Sequence, residues 1–396
     1  MIEIESSVMG PPDVGEILSP WVNEFEQLTR IRVHLIPVDW NWNTIFKYGV
    51  YGHGPDVSEV GSSWVASLAA MNALRPFTVG EVRFLGGAET FLAASWKSCL
   101  TADDFNVWGL PWTSQVLVLY YRKDLLEQFG IARTEQECRT AFATHSALVQ
   151  TLSRLQAEGV SHPLALWVTE EWYVIHSAAS WVWGAGGEFI VPEGNQVLFD
   201  QPAAMAGLRD YFGLRAFMRP SCTAEDNSRS QLYRGSPAVA IECQVPYIFF
   251  RDHQPEELPK WGISSVPGVP YIGGSNLVIW KHSRQPDAAM KWVQFLIKKV
   301  DEQIGVMRAE DFPTRLKALD HWAASGDRFA IGFVESLKRG RGHTSARLWG
   351  LVEEKLLGVF PRIWEEVLSD PSRDVEETLH QHLDPLARNL NRTLKN

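Results

Sequence analysis

Apolar residues fall at alternate positions in Ile31-Arg-Val-His-Leu-Ile36, which predicts a half-buried strand. Before it, Ile17, Trp21, Phe25 and Leu28 lie at helical spacing, with Ser19-Pro20 as a cap and proline at the first helical position. Gly54-Pro-Asp56 predicts a turn into a short strand ending at Val60, and Ser62-Ser63 then offers an N-cap to a helix carrying Trp64, Leu68 and Met71. Val107–Pro111 and Gln115–Tyr121 are two further strand candidates. From Glu135 to Glu158 the pattern predicts one long helix with Phe142, His145, Leu148, Leu152 and Leu155 on its face and Gly159 as its stop. Leu164–Val168 predicts a strand, Trp172–Trp183 a helix ended by Gly184-Ala-Gly-Gly187, and Ala238–Ile241 and Leu277–Trp280 two more strands. Helices follow from Asp287 to about Lys299 and from Asp374 to Leu394. Strands alternating with helices predict an α/β layer architecture.

Composition narrows the class. A chain of 396 residues, 45% hydrophobic and 21% charged, has material for more than one core and lacks the signature of disorder. The formal net charge of −10 argues against nucleic acid and anionic membrane surfaces as partners. No apolar run approaches the roughly 20 residues that span a bilayer. The opening Met1-Ile-Glu-Ile-Glu reads as a strand and carries neither the basic nor the apolar region of a secretion signal. Cys99, Cys138, Cys222 and Cys243 form no C-x-x-C pair, so a zinc ribbon is excluded; they are four free thiols or two bridges. The 17 Trp are the unusual feature: a surplus over core needs would provide flat rings for the C–H face of a sugar.

Catalytic patterns are absent. There is no G-x-S-x-G elbow, no Walker A segment and no H-E-x-x-H, and Gly184-Ala-Gly-Gly187 has the wrong spacing for a dinucleotide loop. Glu170-Glu171 could supply half of a glycosidase pair, but adjacent carboxylates point apart.

Several segments, in order along the chain, resemble the extracellular (periplasmic) solute-binding protein family 1 of ABC sugar importers, which includes maltose-binding protein. They are Gly54-Pro-Asp-Val57 through Trp64, Ala73-Leu-Arg-Pro-Phe77, Gly109-Leu-Pro-Trp-Thr113 leading to Leu119–Leu126 and Phe129-Gly-Ile131, Leu232–Ile241, Gly273-Gly-Ser-Asn276 through Leu296, and Phe312-Pro-Thr-Arg315. Tyr121-Arg122 and Pro237-Ala-Val239 depart from the family pattern at structural positions. The resemblance implies a two-lobe α/β fold of the type II periplasmic binding protein kind, each lobe a mixed sheet flanked by helices, with hinge crossovers. Lobe one would be 1–112 and 267–311, lobe two 113–266 and 312–396. It also implies non-catalytic capture of a carbohydrate, an oligosaccharide by preference, for ABC transporter permease subunits, by a monomer without cofactor or metal. The location implied is periplasmic or extracellular, with or without a lipid anchor; the cytoplasm is the alternative where no signal segment is present. Two other functions stay in play: a sensing domain for a signalling partner, and a glycoside-processing enzyme.

Ligand-binding candidates follow from loops after strands, where open α/β sheets bind. Trp40 and Trp42 flank an asparagine and either stack a sugar ring or pack at a helix start. Ser63 and Trp64 follow a strand, Ser63 also serving as a cap, and Trp112 stands at the expected crossover. In the second lobe Glu171 with Trp172, and Trp183 beyond them, combine a carboxylate with rings, the carboxylate accepting charge-assisted bonds from hydroxyls. Glu242 ends an apolar strand and should not be buried unpaired, so it too is assigned to the ligand. Gly273 and Gly274 permit close backbone approach, Ser275 and Asn276 add side-chain bonds, and Arg315 is a further candidate whose ordinary fate is an ion pair.

Overall fold

The computed structural model describes residues 1–10, 13–39, 42–101, 106–169, 171–220, 227–302, 311–343 and 345–394. The chain forms two compact units: 1–115, 272–325 and 342–350 make the first, and 116–271, 326–341 and 351–396 the second. Among the described residues there are eleven strands: β1 (Ile2–Met9), β2 (Ile31–Val38), β3 (Val57–Gly61), β4 (Leu74–Arg75), β5 (Leu110–Val116), β6 (Val118–Arg122), β7 (Leu164–Ala165), β8 (Val239–Glu242), β9 (Trp261–Ser265), β10 (Ile272–Trp280) and β11 (Phe312–Pro313).

The first unit is built on a seven-stranded mixed sheet of order β11-β5-β10-β3-β1-β2, with β4 also paired to β10. β1 runs parallel to β2 and β3, whereas β10 is antiparallel to β3. Helices Val14–Thr29 and Pro286–Glu302 pack on it, and their Leu18, Trp21, Phe25, Trp292, Val293 and Leu296 meet Ile4, Val8, Val33, Leu277 and Ile279 in one apolar core. Two buried indoles of this unit bond to the sheet: the N–H of Trp292 donates to Ser6 Oγ at 3.0 Å and that of Trp280 to Ser58 Oγ at 2.7 Å. The second unit has a four-stranded sheet of order β7-β8-β6-β9, parallel only between β7 and β8. Helix Glu171–Gly184 crosses helix Pro202–Gly213, where Gly207 lets the two backbones touch. Tyr211, Phe212, Phe360 and Trp364 fill the space beyond.

Three local expectations change for identifiable reasons. The first helix starts at Val14, not at Pro20, because Val14 and Leu18 extend its buried face by a turn. Pro20 sits inside it, and the Glu16 carbonyl that proline cannot engage accepts from Ser19 Oγ at 2.8 Å. The expected long helix over Glu135–Glu158 is two, Glu135–Ala141 and His145–Ala157, since Thr144 Oγ1 caps the second by accepting from Ala147 N at 3.1 Å. The helix after β3, Val65–Ala70, takes Trp64 and not Ser63 as its N-cap residue, and Trp64 makes no side-chain cap.

Candidate functional site

Parallel strands β1, β2 and β3 of the first unit end at one edge of their sheet, and antiparallel β10 begins there, Ser275 standing opposite Gly61. Ser62, Ser63, Ala94, Ser95, Ser98, Ile272, Gly273, Gly342 and His343 line a small hollow at this edge. Beside it Trp42, half-buried in the first turn of helix Trp42–Tyr51, is tilted against Trp64 with ring centroids 5.6 Å apart. Trp64 is only 4% exposed, and its ring lies over Gly61, where any Cβ would come within 3.1 Å of it. The structure thus brings Trp42, Ser63, Trp64 and Gly273 to one edge. Trp40 lies outside the described residues.

Other candidates of this unit are taken up by the fold. Trp112, 1% exposed, is part of the apolar core rather than a platform, because β5 runs between β10 and β11. Gly274 has φ +124°, and a Cβ there would lie 2.2 Å from the Thr113 carbonyl, so the close approach it permits is to β5. Ser275 Oγ shares a hydrogen bond with Thr113 Oγ1 at 2.8 Å, and the Asn276 amide donates to Ser98 Oγ at 2.9 Å. Arg315 donates to the Leu85 carbonyl at 2.5 Å and to Thr90 Oγ1 at 2.8 Å, with its guanidinium over the Phe91 ring.

In the second unit the ends of parallel β7 and β8 lead into a continuous line of rings. Trp167 follows β7 and meets Tyr173 with centroids 5.0 Å apart; Tyr173 meets His176 at 6.5 Å. His176 is stacked on Tyr271 at 4.0 Å and 12°, and Tyr271 lies 6.2 Å from Trp183 at 18°. Tyr173, His176 and Trp183 share helix Glu171–Gly184 at spacings of three and seven, which turns them to neighbouring positions of its surface. Each end of the line carries an arginine on a ring. Arg229 lies over Trp167 at 5.0 Å and Tyr173 at 5.6 Å, and Arg341 over Trp183 at 4.5 Å. Each is also ion-paired: Arg341 bidentately with Glu188 at 2.8 and 3.1 Å, Arg229 with Glu242 at 3.3 Å.

Glu242 is 1% exposed and accepts from Ser228 Oγ at 2.5 Å as well as from Arg229. The expectation that a carboxylate at this strand end needs a partner holds, but the partners come from helix Ser228–Tyr233 of the chain itself. Trp172 is half-buried in the first turn of its helix, and the side chain of Glu171 lies outside the described residues. Cys99, Cys138 and Cys243 are buried free thiols, and Cys222 is outside the described residues.

The charges of this cluster are settled by burial. Burial pushes the His176 imidazole down to about 3, so it is neutral at pH 7 and stacks as an uncharged ring. Burial raises the Cys243 thiol to about 11, which leaves it protonated and unreactive near neutrality. Tyr173 is held well above the usual phenol range by the neighbouring Cys243 and then by burial, and Tyr271 by burial first. Burial opposes the charge on Arg229, but Glu242, Cys243 and Tyr173 together more than restore it and its pKa lies above the usual value. The line therefore joins buried Trp167, Tyr271 and Trp183 and half-buried Tyr173 and His176 to two guanidinium groups held by internal carboxylates. Trp167, Tyr173, His176, Arg229, Tyr271 and Arg341 were not among the candidates. The three-and-seven spacing on the helix was legible; the two arginines and Tyr271 come from distant segments and left no local signal.

Mixed sheets in two units, with aromatic and polar side chains gathered where strands end, define a solute-binding protein of the two-unit α/β class. Residues 20–328 match the bacterial extracellular solute-binding protein family, and the chain belongs to that family. It is 21% identical over 306 residues to the maltooligosaccharide ABC transporter solute-binding lipoprotein of Streptococcus pneumoniae, covering 72% of this chain and 66% of the relative. It is 23% identical over 225 residues to a probable ABC transporter-binding protein of Deinococcus radiodurans, covering 52% of this chain and 51% of that one. The chain thus spans about half to two thirds of the length of these curated relatives. The fold is shared with the sugar-binding protein MalE of the phytopathogen Xanthomonas citri at TM-score 0.82 and 18% identity, covering 99% of this chain and 97% of that one. Maltose-bound MalE3 of T. maritima has TM-score 0.76 and 21% identity over 100% of this chain and 99% of its own.

Proposed function

We propose that this protein captures a carbohydrate, by preference an oligosaccharide, and hands it unchanged to the permease subunits of an ABC importer. The line of rings from Trp167 through Tyr173, His176 and Tyr271 to Trp183 carries the reading. Half-buried Tyr173 and His176, backed by the buried rings, suit the C–H faces of a sugar, each hiding surface at about 25 cal/mol per Å² removed from water. Half-buried Trp42 at the strand ends of the first unit, backed by buried Trp64, supplies a further ring. Solute-binding relatives named for maltooligosaccharide transport support the same class. A periplasmic or extracellular location accords with the family. Titration calorimetry with maltotriose, and a panel of neutral glycans beside it, tests the reading. Saturable binding with no hydrolysis product by chromatography is expected. Binding confined to amino acids, polyamines or metal ions would overturn the class, and turnover of the glycan would overturn its non-catalytic part.

A further inference from the structure

We propose that Arg229, and not Glu242, is the residue of the second unit that reads the ligand, and that Glu242 acts only by holding Arg229 in place. The inference rests on the carbohydrate reading and names the group that gives it specificity. Glu242 has no surface to offer: it is 1% exposed, with one oxygen engaged by Ser228 Oγ at 2.5 Å and the other by Arg229 at 3.3 Å. Arg229 is different. Its side chain is 22% exposed at the end of the ring line, clamped over Trp167 and Tyr173. Its Nη2 is committed to Glu242, Tyr173 Oη and Cys243 Sγ at 3.3, 3.4 and 3.6 Å, while its Nε is buried with no hydrogen-bond partner. A planar fork fixed on one side by a carboxylate and on its faces by two rings has lost its rotamer freedom before any ligand arrives, so a bond to it costs little further ordering. Its remaining N–H groups donate only. A ligand there must present oxygen acceptors, as the hydroxyls of a neutral sugar do. Because Glu242 already balances the charge, no anion is demanded, and a protonated amino sugar would set donors against donors.

The test is a double-mutant cycle read by calorimetry with maltotriose, or with whichever glycan of the panel the wild type binds. Arg229→Lys keeps a charge without the fork and should weaken binding roughly tenfold to a hundredfold, the range for a bond to a charged group. Glu242→Gln should weaken it less. The double variant Arg229→Lys, Glu242→Gln should be no weaker than Arg229→Lys alone, since Glu242 acts through Arg229. Additive losses would show that Glu242 touches the ligand and would overturn the proposal. So would an unchanged Kd in Arg229→Lys, or tight binding of a glucosamine trimer at pH 5. Arg229→Gln, Glu242→Gln, which leaves no lone buried charge, replaces any single variant that fails to fold. A wild type that binds no glycan at all brings down the carbohydrate reading itself, with this proposal.

Discussion

Gly274 shows how a residue that looks made for a ligand can be spent on the fold. Its φ of +124° and the 2.2 Å separation of a would-be Cβ from the Thr113 carbonyl leave no room for a methyl group. Gly274→Ala should lose at least about 1–3 kcal/mol, the usual cost of forcing atoms into a packed site, read as a lower urea midpoint; an unchanged midpoint would show that β5 can yield. Trp112 makes the complementary case. Trp112→Ala opens a hole in the first core, and a loss of about 3–5 kcal/mol is expected, whereas a ligand-facing indole would have left the melting temperature alone. His176 sets a pH dependence. Its folded pKa of about 3 lies below the roughly 6.5 of an unfolded histidine, so between these values the unfolded chain holds the extra proton. Stability is therefore lost as pH falls from about 6.5 toward 3. His176→Phe keeps the stack on Tyr271 and removes that proton, so the difference in melting temperature between variant and wild type should grow in the variant's favour as pH drops. A constant difference would show that the imidazole titrates normally.

Elements meet through glycine as much as through large side chains. Helices Glu171–Gly184 and Pro202–Gly213 approach so closely that a Cβ at Gly207 would lie 2.5 Å from the Trp181 carbonyl. At Gly268 a Cβ would lie 2.4 Å from the Ser180 carbonyl of the same first helix, and φ is +101°. These contacts seat the helix that carries Tyr173, His176 and Trp183. Gly207→Ala must push backbone from backbone, and we expect it both to lower stability and to weaken glycan binding by displacing the ring line. Chemical denaturation and calorimetry on the same sample check this; a destabilised variant with full affinity would show that the rings are positioned without this crossing. The breaks between elements follow local chemistry. Thr134 and Thr144 each cap a helix through Oγ1, and the cap at Thr144 divides what apolar spacing alone reads as one helix.

For the molecule as a whole, the expected consequence of capture is linkage between binding and stability. A ligand that binds only the folded chain adds RT ln(1 + [L]/Kd), about 2.7 kcal/mol at a hundredfold excess over Kd. Thermal unfolding with rising maltotriose should therefore show a melting temperature that climbs with the logarithm of concentration once Kd is passed. A flat response at concentrations that saturate the calorimetric signal would contradict binding to the native state. The same experiment with Arg229→Lys should need a higher concentration for the same rise.

How far the residues foretold this protein depends on the distance over which each feature is decided. The α/β alternation, the strands near Ile31, Val57, Ala238 and Leu277, and the terminal helix were legible because period-two and period-3.6 patterns are local, as was the run of motifs that resembles the solute-binding family. Helix starts were less legible, since Pro20 is tolerated once Ser19 satisfies the freed carbonyl. The use of each aromatic residue was not legible at all. Trp112, Trp261, Trp280, Trp292, Trp349 and Trp364 are fully buried, and the excess of tryptophan serves the cores as much as any ligand. An indole has the same signature in sequence whether it fills a core or faces water; only the neighbours that packing brings decide which. Glu242 is the clearest instance. Its position after Val-Ala-Ile announced that it must be paired, because a lone buried carboxylate is too costly. Tertiary structure alone decided that Ser228 and Arg229 would do the pairing and that Arg229 would carry the exposed charge.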